Sequence, residues 1–171
     1  MRLLFLGLII VLIIDSCNRP KPSIPLFDEF EFSYTNTFKD SYTIKFTKGD
    51  TVYKARYFPY PDSNFIGVIT PYERKKLDSL ISKIDFGKLD SLYYQTYEDG
   101  LGYQFYIKND SVTKTILVHS ESVPDNLKQL AYWITHRNRY WKLSPVDSVL
   151  EMKHVGFFKP PIVISPTNKE K

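Results

Sequence analysis

Alternation is the feature that most limits this chain. Phe30-Glu31-Phe32-Ser33-Tyr34, Tyr42-Thr43-Ile44-Lys45-Phe46-Thr47 and Gly102 to Lys108 each place a ring or an aliphatic side chain at every second position. Successive side chains of an extended chain point to opposite faces, so these stretches read as strands with one core-facing side. Lys48-Gly49-Asp50 supplies a turn after the second stretch, and Thr51 to Phe58 returns as its partner with Tyr53, Ala55 and Tyr57 inward and Lys54 and Arg56 outward. Asn109-Asp110 likewise turns Gly102–Lys108 into a partner strand over Val112 to His119. Aromatic residues make up 16% of the chain, with 13 Tyr and 12 Phe, which suits a small sheet core filled by large rings.

Two segments switch to helical spacing. Thr70-Pro71-Tyr72-Glu73 combines a capping hydroxyl, a proline suited to the first helical position and a glutamate able to close a capping box. Leu77, Leu80, Ile81 and Ile84 follow at i, i+3, i+4 and i+7; after Pro124, Leu127, Leu130, Ala131 and Ile134 repeat that spacing. Aligning Pro71 with Pro124 matches Lys75 to Lys128, Leu77 to Leu130, Leu80 to Trp133 and Ile81 to Ile134. The expected fold is α+β: an antiparallel sheet with two helices packed on one face, built as two successive β-hairpin-plus-helix units. An old duplication and shared packing rules both account for the match. Between the units, 58–69 reads as an irregular connection with a short strand near Phe65 to Val68, Phe86 to Tyr94 as a short helical turn, and Glu98-Asp99-Gly100 as a turn. The domain is expected over 28–142, with 143–171 a mostly loose tail on which Val155 to Phe158 can dock as an edge strand.

The N-terminus gives an address. Arg2 precedes an apolar run from Leu3 to Ile14, and Asp15-Ser16-Cys17 closes it. Fully helical, the run reaches about 18 Å, short of the roughly 30 Å hydrocarbon core, so it targets and does not span. Cys17 is the only cysteine, with a branched apolar residue three positions before it and a serine immediately before it. This resembles a bacterial lipobox and implies a signal peptide over 1–16, cleavage before Cys17 and acylation of that residue. Asp15 departs from the small or apolar residue usual there. Pro20, Pro22 and Pro25 then give an extended tether over 17–27. Within the resemblance, Asn18 implies outer-membrane sorting, and the absence of an acidic run after Cys17 places the domain on the periplasmic side. The segment from Tyr42 to Ile134 further resembles a domain family of unknown function in Bacteroidota lipoproteins, through its element order, Tyr-x-Ile-x-Phe at Tyr42 and Pro-x-x-x-x-x-Leu at Pro71. Members often carry a cysteine pair before the first of these strands, and 36–41 has none. The family implies a fold and no activity.

The net charge of +4 is too small and too dispersed for a nucleic-acid footprint. No nucleophile elbow, phosphate loop, His-Glu-x-x-His or calcium loop occurs. His119, His136 and His154 stand apart in sequence, and Glu98-Asp99 lies in an acidic turn, so no cofactor, metal or catalytic group is expected. A sheet face carrying Thr43, Lys45, Lys54, Arg56, Gln104, Tyr106 and Lys108 is either simply wet or a recognition surface, where Tyr106 stacks and the cations meet carboxylates of a glycan or partner protein. Tyr132 and Trp133 with Arg137, Arg139 and Lys142 present the same choice. Asp-Ser/Thr-apolar triplets resembling the O-glycosylation sequon of that phylum leave Thr51, Ser111 and Ser148 as accessible acceptors. The expected function is a lipid-anchored periplasmic binding or interaction module without enzymatic activity, held to the membrane through Cys17. The alternative is a small hydrolase or inhibitor-like domain with a site assembled from loops 58–69 and 93–100.

Overall fold

The computed structural model describes residues 26–36, 39–59, 61–96 and 101–153. The signal segment, Cys17, most of the tether, the Glu98-Asp99-Gly100 turn and Val155 to Phe158 lie outside the described residues. Within them the chain is mixed α+β, with two helices and one eight-stranded, mostly antiparallel sheet. Strands β1 (Glu29–Asn36), β2 (Asp40–Phe46), β3 (Thr51–Phe58) and β4 (Ser63–Val68) precede helix α1 (Pro71–Ile81). Then β5 (Leu92–Tyr94), β6 (Leu101–Lys108) and β7 (Thr113–His119) precede α2 (Asp125–Arg137), and β8 (Leu143–Val146) follows. The strand order is β5-β7-β6-β1-β2-β3-β4-β8, antiparallel except where β5 joins β7.

Register separates the two faces at β1. Phe30 lies opposite Phe46 on one side and Ile107 on the other, and Phe32 opposite Ile44 and Phe105; these positions form an aromatic face. Their rings meet at 5.5 Å (Phe30 and Phe46) and 5.2 Å (Phe32 and Phe105), contacts that add about 0.5–1.5 kcal/mol each beyond area burial. Glu31 lies opposite Lys45 and Tyr106, and Ser33 opposite Thr43 and Gln104, on a polar face.

Helix α1 starts as its sequence requires. The Thr70 hydroxyl accepts from the Glu73 N–H, Pro71 occupies the first turn, and Glu73 accepts from the Thr70 N–H. The same carboxylate accepts from Arg137 Nε and, at 2.9 Å, from Trp141 Nε1, joining the start of α1 to the end of α2. At the opposite ends, Asn126 Nδ2 donates to Lys83 O at 3.0 Å, so the helices run antiparallel to each other. Leu77, Leu80, Ile81, Ile84, Leu127, Leu130, Ala131 and Ile134 are all buried, as both stripes require. Arg74 bonds Asp78 and the carbonyls of Thr47 and Gly49 and lies 4.9 Å over the Phe27 ring. Phe27, placed in the tether by its neighbours, is therefore core.

Four sequence readings need correction. In β3 the inward and outward residues exchange: Val52 pairs with Phe46 and Lys54 with Ile44, so Val52, Lys54 and Arg56 share the aromatic face. Parity is set by the turn, where Thr47 bonds Thr51 O through both its N–H and its hydroxyl, and not by side-chain size. Phe86–Lys88 is a single 3-10 turn, but Leu92–Tyr94 continues as a strand. The tail is not loose at its start, since β8 pairs with β4. Gly67 permits that approach: a Cβ there would lie 2.5 Å from Leu143 Cδ2 and 2.8 Å from Lys142 O. The chain then crosses the polar face, with Asn64 Nδ2 donating to Ser148 O (2.8 Å), Lys45 Nζ to Glu151 O (3.4 Å) and the Lys153 N–H to Glu31 Oε2 (2.8 Å). That face is thus not simply wet: Ser33, Thr43 and Gln104 are buried, and Ser33 and Thr43 bond each other at 2.8 Å.

The fourth correction concerns which hairpin leads into α1. β4 intervenes between the first hairpin and α1, and no strand intervenes in the second unit. β2 and β6 both run antiparallel to β1 and turn their rings to the same face, yet β3 and β7 lie outward on opposite sides of β1. A copied rigid unit with the same direction and facing would put its second strand on the same side each time. The β2–β3 and β6–β7 hairpins are therefore not superposable copies. In β3–β4, which leads directly into α1, the second strand lies on the same hand of the first as β7 does of β6, so an old duplication and shared packing rules both account for the matched helix stripes.

Candidate functional site

The seven residues read from sequence as one sheet face divide between two, with Thr43 buried on the polar one. Lys45, Gln104, Tyr106 and Lys108 lie on the polar face, where Lys45 pairs with Glu31 at 3.6 Å, Lys108 with Glu29 at 3.8 Å, and Gln104 is buried. Lys54 and Arg56 lie on the aromatic face. Lys54 Nζ donates to Asn138 Oδ1 at 2.9 Å and sits 4.2 Å from the centre of the Tyr42 ring. Arg56 donates to Ser63 Oγ at 3.0 Å over the ring of Phe65. Thr51 opens β3 and is half-buried, whereas Ser111 and Ser148 are exposed. Of the two loops of the hydrolase alternative, the strands in their described parts are set apart: β4 and β5 stand six strand spacings from each other, about 29 Å along the sheet.

A groove of about 880 Å³ runs beside α2. One wall is a second helical stripe, Lys128, Ala131, Tyr132, Thr135, His136 and Arg139, at i, i+3, i+4, i+7, i+8 and i+11. It flanks the core stripe because a helix that buries one stripe offers the next to whatever lies alongside. Tyr34 of β1 and Leu101 and Tyr103 of β6 form the facing wall, and Gln95, Ser120 and Glu121 close the end near β7. From Lys128 to Arg139 the helical rise gives a length of about 16 Å. Small Ala131 leaves room at mid-groove, and exposed Tyr132 stacks on His136 with ring centres 3.8 Å apart. Tyr34 stacks in turn on Tyr42 at 5.3 Å, and Asn138 Nδ2 donates to the Tyr42 hydroxyl at 3.1 Å.

The groove is cationic at both ends. Neither Lys128 nor Arg139 makes an ion pair among the described residues. Beside Arg139 lie Asp40, Lys54 and Arg56. Burial pushes the Asp40 carboxyl up against the pull of the three cations, and burial pushes the Lys54 ammonium down. The Tyr42 hydroxyl is raised well beyond the phenolic range, by burial first and by Asp40 second, and so stays neutral as it accepts from Asn138.

Among the described residues, three polar groups of the groove are engaged with the backbone. Ser120 Oγ accepts from the Ser122 N–H at 3.0 Å, Thr135 Oγ1 donates to Ala131 O at 3.0 Å, and His136 Nδ1 is engaged with Tyr132 O at 2.9 Å. His119 is on β7, with Tyr94 5.5 Å away. What the groove can do chemically is stack planar or apolar faces and hold negative charge at its ends. Sequence reading singled out Tyr132 and Arg139 but missed Tyr34, Tyr103, Gln95, Ser120, Glu121 and Asp40. Those six reach the site through strand order, which pattern alone does not supply. Arg137, from the same basic cluster, instead serves Glu73, and Trp133 lies with Lys76 and Leu80 in a shallower groove between the helices. Comparison of the chain with protein-family models and with curated proteins returns no match.

Proposed function

We propose that this chain is a lipid-anchored binding module of the bacterial envelope, held through Cys17 at the periplasmic side of the outer membrane, and that it works by recognition and not by catalysis. The observation that carries the binding role is the groove along α2: long, aromatic on both walls and, among the described residues, unpaired in charge at both ends and without a base-activated hydroxyl. In this reading the two helices lie together on the aromatic face and the groove is the opening left beside them. The contacts of Asn138 with Tyr42 and Lys54, and of Trp141 with Phe46 at 5.8 Å, support that placement. The anchor rests on the apolar run and the cysteine that closes it. Among the described residues no helix is long and apolar enough to cross a membrane.

One acyl chain gives only reversible attachment, whereas the two or three of a lipoprotein cysteine hold stably, at about 0.8 kcal/mol per buried methylene. Wild-type protein should stay with membranes through salt and carbonate washes, and Cys17→Ala should lose its lipid and its cleavage before residue 17. Mass spectrometry of the mature N-terminus reads this directly. An unmodified Cys17, or cleavage at another bond, overturns the anchored reading.

A further inference from the structure

We propose that the groove takes an acidic glycan: an extended oligosaccharide whose carboxylates meet Lys128 at one end and Arg139, with Lys54 and Arg56 behind it, at the other. This rests on reading the groove as the binding site and names its ligand class. Three features select the class. The length of about 16 Å, three turns of helix, fits an oligomer better than a single ring. The two terminal cations have no carboxylate partner among the described residues, where Glu121 lines the groove and Asp40 lies beside Arg139. Negative charge on the ligand complements the two cations, and the two acids set where along the groove it is tolerated.

The third feature separates a glycan from an acidic peptide. A peptide that binds by strand addition needs a free sheet edge for its main-chain hydrogen bonds. Here β1 is paired on both sides, β6 lies between β1 and β7, and α2 satisfies its own backbone, so among the described residues these elements offer no free strand edge to the groove. Tyr34, Tyr103 and the stacked pair Tyr132 and His136 present rings against which the apolar faces of sugar rings pack. Gln95, Ser120 and Glu121 present amide, hydroxyl and carboxylate groups suited to ring hydroxyls.

The test is calorimetric titration of the full chain in detergent with tetragalacturonic acid, a hyaluronan tetrasaccharide, the methyl ester of the first, and tetra-aspartate. At least one acidic tetrasaccharide should bind, weakening as salt rises, and esterification should weaken binding at least about tenfold, since one charge-assisted hydrogen bond corresponds to about that factor. Arg139→Gln and Lys128→Gln should each weaken binding about tenfold, whereas Lys75→Gln on α1 should not; unchanged melting temperatures show that the variants fold. Equal affinity for the ester, tighter binding of tetra-aspartate, or no binding of either acidic glycan at millimolar concentration overturns the ligand class. If a neutral or peptide ligand binds and Tyr132→Ala abolishes it, the groove stands and the acidic-glycan assignment falls. Binding that no groove variant alters removes both.

Discussion

Replacing Glu73 by Gln tests how the helices are joined. The carboxylate is 3% exposed and accepts four hydrogen bonds, from the Thr70 N–H (2.7 Å) and hydroxyl (2.8 Å) through Oε2 and from Arg137 and Trp141 (2.9 Å) through Oε1. A glutamine has one acceptor oxygen and one amide donor. Whichever way it is turned, its NH₂ faces either the Thr70 N–H or the Arg137 and Trp141 donors, and at least one of those donors loses its acceptor. Each hydrogen bond to a charged group is worth about 1.5–3 kcal/mol, and Arg137, being part-exposed, regains some of its loss from water. The expected destabilisation at pH 7 is about 2–4 kcal/mol, measured by urea unfolding with tryptophan fluorescence. Burial alone would raise the Glu73 carboxyl, but the bonds from Thr70, Arg137 and Trp141 outweigh it and hold it below its usual range. A carboxylate depressed in the folded state contributes fully above its unfolded pKa and loses that contribution as pH falls through its folded value. The gap between wild type and variant should therefore narrow towards pH 3. A variant within about 0.5 kcal/mol of wild type at pH 7, or a gap independent of pH, refutes the reasoning.

Leu80→Ala and Leu130→Ala should each cost about 2–5 kcal/mol in denaturant titrations, because both side chains are buried mid-stripe, while exposed Lys75→Ala and Lys128→Ala should fall within about 0.5 kcal/mol. Gly67→Ala drives a methyl against Leu143 and the Lys142 carbonyl; it should cost about 1–3 kcal/mol and speed amide exchange in β8 ahead of the central strands. Burial pushes the Glu31 carboxyl up, against the Lys153 N–H and Lys45. An acid with a raised folded pKa contributes fully below its ordinary pKa of about 4.3 and loses that contribution as pH rises through the folded value. Glu31→Gln should remove that part of the decline, and an unchanged pH profile of unfolding would count against it.

Local rules reached the helices well. Thr70, Pro71 and Glu73 specify a start that needs no tertiary information, and the leucine stripes specify which faces are buried. They failed where the deciding contact is distant. Tyr53 and Tyr57 outweigh Val52 on size, yet the turn at Thr47 fixes the parity, and Ala55 and Tyr57 are still buried, on the polar face. Tyr57 pays for that position with a hydroxyl pushed up to about 12, chiefly by burial. Leu92–Tyr94 becomes a strand only because β7 lies alongside, and Leu143–Val146 only because Gly67 lets β4 come close. The groove follows the same division. Its helical wall could be read from spacing, and its facing wall depends on β6 pairing with β1 across some 70 residues of sequence, a pairing that hydrophobic alternation permits without specifying.

Photo-crosslinking in intact cells tests the groove against the polar face most directly. A benzophenone amino acid is placed at Tyr132 in one strain and at Tyr106 in another, and adducts are compared after irradiation. The groove account predicts adducts from position 132, lost when Arg139 is also changed to Gln, and none from position 106 above an irradiated wild-type control. Adducts from position 106 with none from position 132, or adducts from 132 that survive Arg139→Gln undiminished, would contradict it.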